Sequence, residues 1–568
     1  MAIDFPPALP PQLTTVAEIS TTAGASAPYI GLVNGYELRV TGSHYLNETE
    51  LAAIFETAKT PSQAIFLMNS LTLRKGHLLV LTQYAPEGST VYIHAVQASV
   101  VAIEGEGVAE YFSDLKGDPD LTRAEFERAR VMANVKSQRT GVNYSATFFV
   151  DDNDPEAVSL LFEAAPVEDY DATDFFVQFG NQGSRYVGRY FGDIGMNHNF
   201  ANGSRVGLGY ETAFTDLGES RGGEDYHRFQ LTADKPFSSG LYGITASHTE
   251  YSQHLGYRAG SASAPGGGVV CDLLSVLGLC LPTTGATAGQ SIDLDADINA
   301  LALTGEQVLA SDFSYRINLF QRLEYVDSTL DISGFGSLQD ESYATLELGA
   351  KYFSAETVGD GQFRWSAQLS LKGGVIGDSG TLGSYDSFRA RYLAENPGAA
   401  SAPEVTPAAR TAEFIAVLPK IAAKFPLSKE TELNASFFAQ YADEQLPQQQ
   451  QWVLGGMKSI SAYLPGVLSG DSGYFADVSL QRKLNIAGMD VSAAVFAEYG
   501  AAWFENVSGS AGDERSIADA GVRVSADLGW GVSLDAVAAT PLTDDGFVSS
   551  SELERLEADF YVVLKKVF

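Results

Sequence analysis

From about Asp171 to the last residue, apolar and polar positions alternate with a period of two, in segments separated by clusters of Gly, Asn, Asp and Ser. In residues 431–441, Leu433, Ala435, Phe437 and Ala439 fall on one face, and Asn434, Ser436, Phe438 and Gln440 on the other. Successive side chains of a strand point to opposite faces, so this stretch reads as a strand with one apolar side and one largely polar side. Similar segments lie at Phe175–Phe179 and near 186–197, 204–214, 226–236, 240–251, 290–302, 313–326, 342–354, 362–373, 411–424, 431–441, 473–484, 489–503, 516–527, 530–540 and 557–568. About sixteen strands of about ten residues each suit a closed barrel crossing a lipid layer, where only alternate side chains meet lipid. The pattern predicts an all-β transmembrane barrel over residues 169–568. Short turns alternate with long insertions at 255–289, 374–410 and 443–472. The second of these, with Pro397, Pro403 and Pro407 among many alanines, reads as a mobile surface loop.

The first part of the chain has a different grain. Residues 1–34 are rich in Pro, Thr and Ala and read as a flexible lead, with Pro6, Pro7, Pro10 and Pro11 opposing a helix. Residues 35–104 give strand, helix, helix, strand and strand. Tyr36–Gly42 is strand-like; Asn47 and Glu50 form a capping-box pattern before Leu51, Ile54 and Phe55. A second helix, near 62–74, places Ile65, Phe66, Asn69 and Leu73 toward one face, and strands follow at 77–83 and 90–104. Residues 105–168 resemble a second copy, with a helix from Thr122 to about Lys136 (Thr122 and Glu125 as its capping box) and strands at 142–150 and 157–164. A repeated small α/β unit thus precedes a strand-only region.

Composition narrows the function classes. No run of about eighteen apolar residues occurs, which rules out a helical membrane span and leaves a barrel open. Mean hydropathy is -0.03, as expected where lipid-facing and lumen-facing residues average out. The net charge of -35 argues against nucleic acid as a partner, since phosphate contacts need clustered Lys and Arg. The start, MAIDFPPALPPQL, lacks the basic and apolar regions of a secretory signal, so on the barrel reading a signal peptide has been removed. Cys271 and Cys280, the chain's 2 cysteines, have no neighbouring ligands for zinc and read as a short-loop disulfide of an oxidising compartment.

Catalytic and cofactor chemistry finds little support. Gly470-Asp471-Ser472-Gly473 superficially matches a nucleophile turn, but the 7 histidines show no matching base signature. Asp151-Asp152-Asn153-Asp154 lacks the Gly and terminal Glu of a calcium loop. The expectation is a protein that is not an enzyme and uses no cofactor or metal.

The longest Gly/Ser/Pro-rich stretch, 443–472, sits between two strands and asks for a functional reason. Its Leu454-Gly455-Gly456, Ser459-Ile460-Ser461-Ala462-Tyr463 and Gly470-Asp471-Ser472-Gly473-Tyr474 resemble the inward-folding loop of POTRA-bearing outer-membrane transporters, in the two-partner secretion (haemolysin secretion/activation) branch. In that family an Arg at the loop tip, in a V-R-G-F/Y motif, pairs with the acid of an F-x-D-x-G motif on the barrel wall. The wall motif is present here in altered form as Phe496-Ala497-Glu498-Tyr499-Gly500. Ile460 and Tyr463 match the outer positions of the loop motif, but Ser461 stands in the Arg position and Ala462 in that of Gly. The resemblance therefore implies a loop inside the lumen that is more loosely latched, by the Ser461 hydroxyl on Glu498 or by Lys458 as a substitute cation. Phe560, Val562, Leu564 and Phe568 share a face on the last strand, as in the closing strand read by the barrel assembly machinery, although Lys566 interrupts it. Many transporters of that family carry an N-terminal helix that plugs the pore, and residues 1–34, broken by Pro6, Pro7, Pro10 and Pro11, do not suit one.

What the resemblance implies is a bacterial outer-membrane pore. Two POTRA domains in the periplasm would receive an unfolded exoprotein, and the barrel would export it. Handling of a lipoprotein, glycolipid or barrel-insertion cargo, and a porin-like channel, are the alternatives; a soluble hydrolase or adhesin is a further one.

Overall fold

The computed structural model describes every residue except 1–2, 152–153, 184–187, 215–224, 257–290, 333–335, 385–388, 391–392, 395–396, 398–409, 507–512, 548–552 and 555. Cys271 and Cys280 lie outside the described residues, as does most of 374–410.

The first α/β module is a five-stranded sheet ordered Gln12–Leu13, Val80–Glu87, Thr90–Gln97, Tyr36–Gly42, Tyr29–Val33. Its helices begin where the local chemistry allows. Helix α1 (Val16–Ala23) carries a Thr15/Glu18 capping box and helix α2 (Glu48–Thr57) an Asn47/Glu50 box; α3 (Pro61–Lys75) has Thr60 as cap and Pro61 in its first turn. Leu38, Val40, Leu51, Ile54, Ile65, Met68 and Ile93 form the core. The buried face of α3 runs through Ala64, Ile65, Met68 and Thr72, and Phe66 is exposed. The second module pairs helix α4 (Arg123–Thr140), capped by Thr122 and Glu125, with a sheet ordered Ser99–Glu104, Asp154–Pro166, Val142–Asp151.

Two stretches depart from the sequence reading. Residues 1–34 are not a flexible lead: Ile3 and Leu9 are buried, Gln12–Leu13 pairs with Val80–Glu87, and Tyr29–Val33 pairs with Tyr36–Gly42. The four prolines end before α1, and the Thr15/Glu18 box starts a helix just beyond them. That helix lies on the first module's sheet, with Ile19 buried. The expected strand 90–104 is two strands in different sheets, broken at Ala98, whose N–H bonds the Leu79 carbonyl.

Sixteen antiparallel strands close the barrel: β1 (Thr173–Gly180), β2 (Tyr190–Asn199), β3 (Arg205–Phe214), β4 (Asp225–Phe237), β5 (Gly240–Gly256), β6 (Ser291–Ser311), β7 (Tyr315–Ile332), β8 (Gly336–Val358), β9 (Gly361–Ile376), β10 (Ile415–Pro426), β11 (Thr431–Ala442), β12 (Ser472–Ile486), β13 (Met489–Trp503), β14 (Arg515–Gly529), β15 (Val532–Asp545) and β16 (Phe560–Val567). They correspond one for one to the alternating segments. The sequence underestimates the tallest strands: β6 has 21 residues and β8 has 23. Beyond the lipid-facing band the outward positions turn polar (Asp295 and Asp297 on β6, Asp327 on the neighbouring β7), so the apolar alternation stops while the hydrogen-bond ladder continues. Leu208, Phe229, Leu301, Leu348, Leu369 and Val495 are exposed on the outer face, the arrangement a lipid surround requires. The closing β16–β1 seam pairs Val563–Val567 with Gly180–Phe176. Phe560, Leu564 and Phe568 point outward, and Phe568 lies against Phe175 at 5.6 Å between ring centroids.

The second module docks on the barrel's short turns. Arg123 forms a two-pronged ion pair with Asp312 at 2.7 and 2.8 Å, Arg139 pairs with Asp234, and the Tyr111 hydroxyl donates to the Pro236 carbonyl at 2.9 Å.

Candidate functional site: a latched loop in the lumen

The chain between β11 and β12 folds back as a hairpin whose stem pairs Trp452–Leu454 with Leu468–Gly470. Its tip turns sharply at Gly455 and Gly456, with φ of 115° and 93°. A Cβ on Gly455 would stand 2.3 Å from the Leu464 carbonyl oxygen, so the left-handed backbone and the close approach both call for glycine. The turn is tied internally: the Gly456 N–H bonds the Tyr463 carbonyl at 2.8 Å and the Ser459 N–H the Gly456 carbonyl at 3.0 Å.

The tip is seated against the wall. Leu454, Ile460, Ala462 and Tyr463 are buried with Phe475, Ala502 and Ile517, residues of β12, β13 and β14. Gly500 makes room: a Cβ there would stand 2.6 Å from Leu454 Cδ1 and 3.0 Å from Ile460 Cδ1. The wall motif thus supplies a dent as well as an acid.

The latch differs from the sequence expectation. The Ser461 N–H donates to Glu498 Oε2 at 2.7 Å and the Ala462 N–H to Asp519 Oδ2 at 2.6 Å. The Ser461 hydroxyl turns to the Met457 carbonyl at 3.3 Å, so the backbone amide is what meets Glu498. Lys458 is exposed and, among the described residues, makes no ion pair. The cation is Arg523 of β14. It donates to Asp477 at 2.9 Å and to Glu498, and its guanidinium carbon lies 3.8 Å from the centre of the Phe496 ring. Glu498 and Asp519 are 2% and 0% exposed. Amide donors aimed at buried carboxylates form charge-assisted hydrogen bonds, each worth about 2 kcal/mol.

Two further clamps escaped the sequence reading. Residues just before β16, read as part of the last strand, cross the tip: the Leu464 N–H bonds the Leu556 carbonyl at 2.7 Å and the Ala558 N–H the Ala462 carbonyl at 2.8 Å. The Tyr561 hydroxyl then donates to the Tyr463 carbonyl at 2.6 Å. At the loop's base the buried Asp471 carboxylate accepts the Leu446 N–H at 2.9 Å and the Glu505 N–H at 3.0 Å. Burial pushes its carboxyl up to about 6, and among the described residues no cation offsets that. Its position near the superficial nucleophile match serves the loop, and Ser472 bonds Glu505.

Residues 286–526 match the family model of the haemolysin secretion/activation protein ShlB/FhaC/HecB. Over those residues, most of the barrel, the chain is similar to that family. Among solved structures, this chain is similar to CdiB from Escherichia coli, with a TM-score of 0.65 at 14% identity, covering 96% of this chain and 92% of that one. It is also similar to CdiB from Acinetobacter baumannii, with a TM-score of 0.56 at 13% identity, covering 97% and 96%. At these identities the likeness speaks for the fold, α/β modules included. No curated protein matches the sequence significantly. Where the resemblance implies a cation on the loop, the cation here, Arg523, stands on the wall.

Proposed function

We propose that this protein is an outer-membrane translocation pore of two-partner secretion, accepting an unfolded exoprotein through its α/β modules and exporting it through the barrel. The observation that carries this reading is the loop in the lumen: a closed sixteen-strand barrel whose bore holds a segment of its own chain, fastened by hydrogen bonds and apolar packing. A permanent plug would need no such glycine-rich hinge, and an open porin would not bury its loop against two wall carboxylates. The segment therefore acts as a bistable gate that must leave before a polypeptide passes.

On this reading the modules stand in the periplasm, where sheet edges such as Tyr29–Val33, with Ile30 and Leu32 exposed, can take up an extended chain by strand addition. The outward Phe560, Leu564 and Phe568 would serve recognition by the barrel assembly machinery, and the apolar band would face outer-membrane lipid. Transport needs no catalysis by this chain; folding of the passenger outside supplies the drive.

Co-expression with an exoprotein from a neighbouring gene, where one is found, followed by assay of the medium, tests the reading. The exoprotein is expected outside only when the transporter is present. Retention of the exoprotein with both genes expressed would overturn it.

A further inference from the structure

The edge strand of the second module, Val142–Asp151, already carries a guest. Residue Ile3 pairs with it in parallel at Tyr144, and the Asp4 N–H donates to the Tyr144 carbonyl at 3.0 Å. Other contacts hold this tail: Asn134 Oδ1 accepts the Ile3 N–H at 2.7 Å, and Arg130 donates to the Ile3 carbonyl at 2.8 Å. Ile3 is fully buried, and Phe5 stands edge-on to Phe126 of α4 at 5.3 Å and to Phe313 of a barrel turn at 5.2 Å.

The pairing stops for a chemical reason. In a parallel ladder, the rung after Asp4 needs the amide of residue 6, and Pro6 has none. By the alternation of the ladder, Ala146, Phe148 and Val150 turn their backbone groups to the same edge as Tyr144; Ala146 and Phe148 are buried, and no backbone partner meets the three there among the described residues. The edge is therefore partly filled by a segment that cannot extend along it.

We propose that Val142–Asp151 is a docking edge for an extended, unfolded polypeptide, and that residues 3–5 are a built-in competitor which the incoming strand displaces. The inference rests on the secretion reading, since it names where the passenger binds. A longer strand without proline could continue past Tyr144 and add rungs at Ala146, Phe148 and Val150, so it would outcompete the tail. Displacement would also withdraw Phe5 from between Phe126 and Phe313, removing one of the contacts between the second module and the barrel. Binding of the passenger would then be felt at the pore's own rim.

The test uses the full-length protein in detergent micelles and a reduced, alkylated model protein as the unfolded probe. Saturating probe should speed amide hydrogen exchange at residues 3–5 in the wild type while slowing it at residues 146–150. Ile3→Asp, which expels the tail, should bind the probe about tenfold more tightly; Phe5→Ala should shift affinity in the same direction. Unchanged exchange at residues 3–5 with probe bound, or equal affinity in all three proteins, would overturn the competitor while leaving the secretion reading standing. Failure of the probe to bind any of the three would overturn both.

Discussion

Glu498 and Asp519 face each other across the β13–β14 ladder, and the two carboxylates take consecutive backbone amides from one loop dipeptide, Ser461-Ala462. The loop thus offers them peptide dipoles, and the compensating charge is Arg523, which stays on the wall when the loop leaves. Opening costs hydrogen bonds without stranding a buried guanidinium, and Glu498 keeps its cation in both states.

Replacing Arg523 by Ala should therefore damage the wall as well as the gate. It leaves Glu498, Asp519 and Asp477 clustered without a cation, and removing one partner of a buried pair costs about 3–5 kcal/mol. A clear fall in the thermal midpoint of the purified barrel is expected. Lys458→Ala, by contrast, should alter neither stability nor single-channel behaviour, because Lys458 is exposed and unpaired among the described residues. A gating change in Lys458→Ala would mean that this lysine reaches the latch.

Gly500→Ala tests the dent. The added methyl meets Leu454 and Ile460 inside normal contact distance, so the loop must shift while the β13 ladder is kept. More frequent openings in planar bilayers are expected, with the folded band still heat-modifiable on gels. Wild-type gating in this variant would place the loop elsewhere.

Acid should hold the gate shut. Seated, the Asp471 carboxyl titrates near 6 because of burial; released into water it returns to its ordinary value of 3.8. The seated state therefore binds the proton more tightly. Seating strengthens as pH falls from about 6 toward 4, by at most about tenfold per unit, and is lost as pH rises through 6. Open probability should drop between pH 7 and pH 5, and Asp471→Asn should flatten that dependence. An open probability that rises in acid would contradict the assignment.

The barrel was legible because lipid imposes a rule at every second residue, and the loop because Gly455, Gly456, Gly466 and Gly470 crowd where a turn would suffice. The latch was not, because its parts meet only through register. Arg523 lies opposite Ala494 in the ladder and reaches along the wall to Glu498, and no local pattern marks that pairing. Tyr561 was hidden in a different way: it alternates correctly as a strand residue while its hydroxyl serves the loop. The helix at Val16–Ala23 was hidden for another reason: its readable start, Thr15-x-x-Glu18, follows closely on a run of prolines that argues for an extended chain.

Single-channel conductance after deletion of residues 457–466 tests the gate most directly. With the tip gone and the stem Trp452–Leu454 and Leu468–Gly470 retained, a large, steady conductance is expected where the intact protein shows a small, flickering one. Equal conductance from both proteins would mean that the loop does not fill the bore.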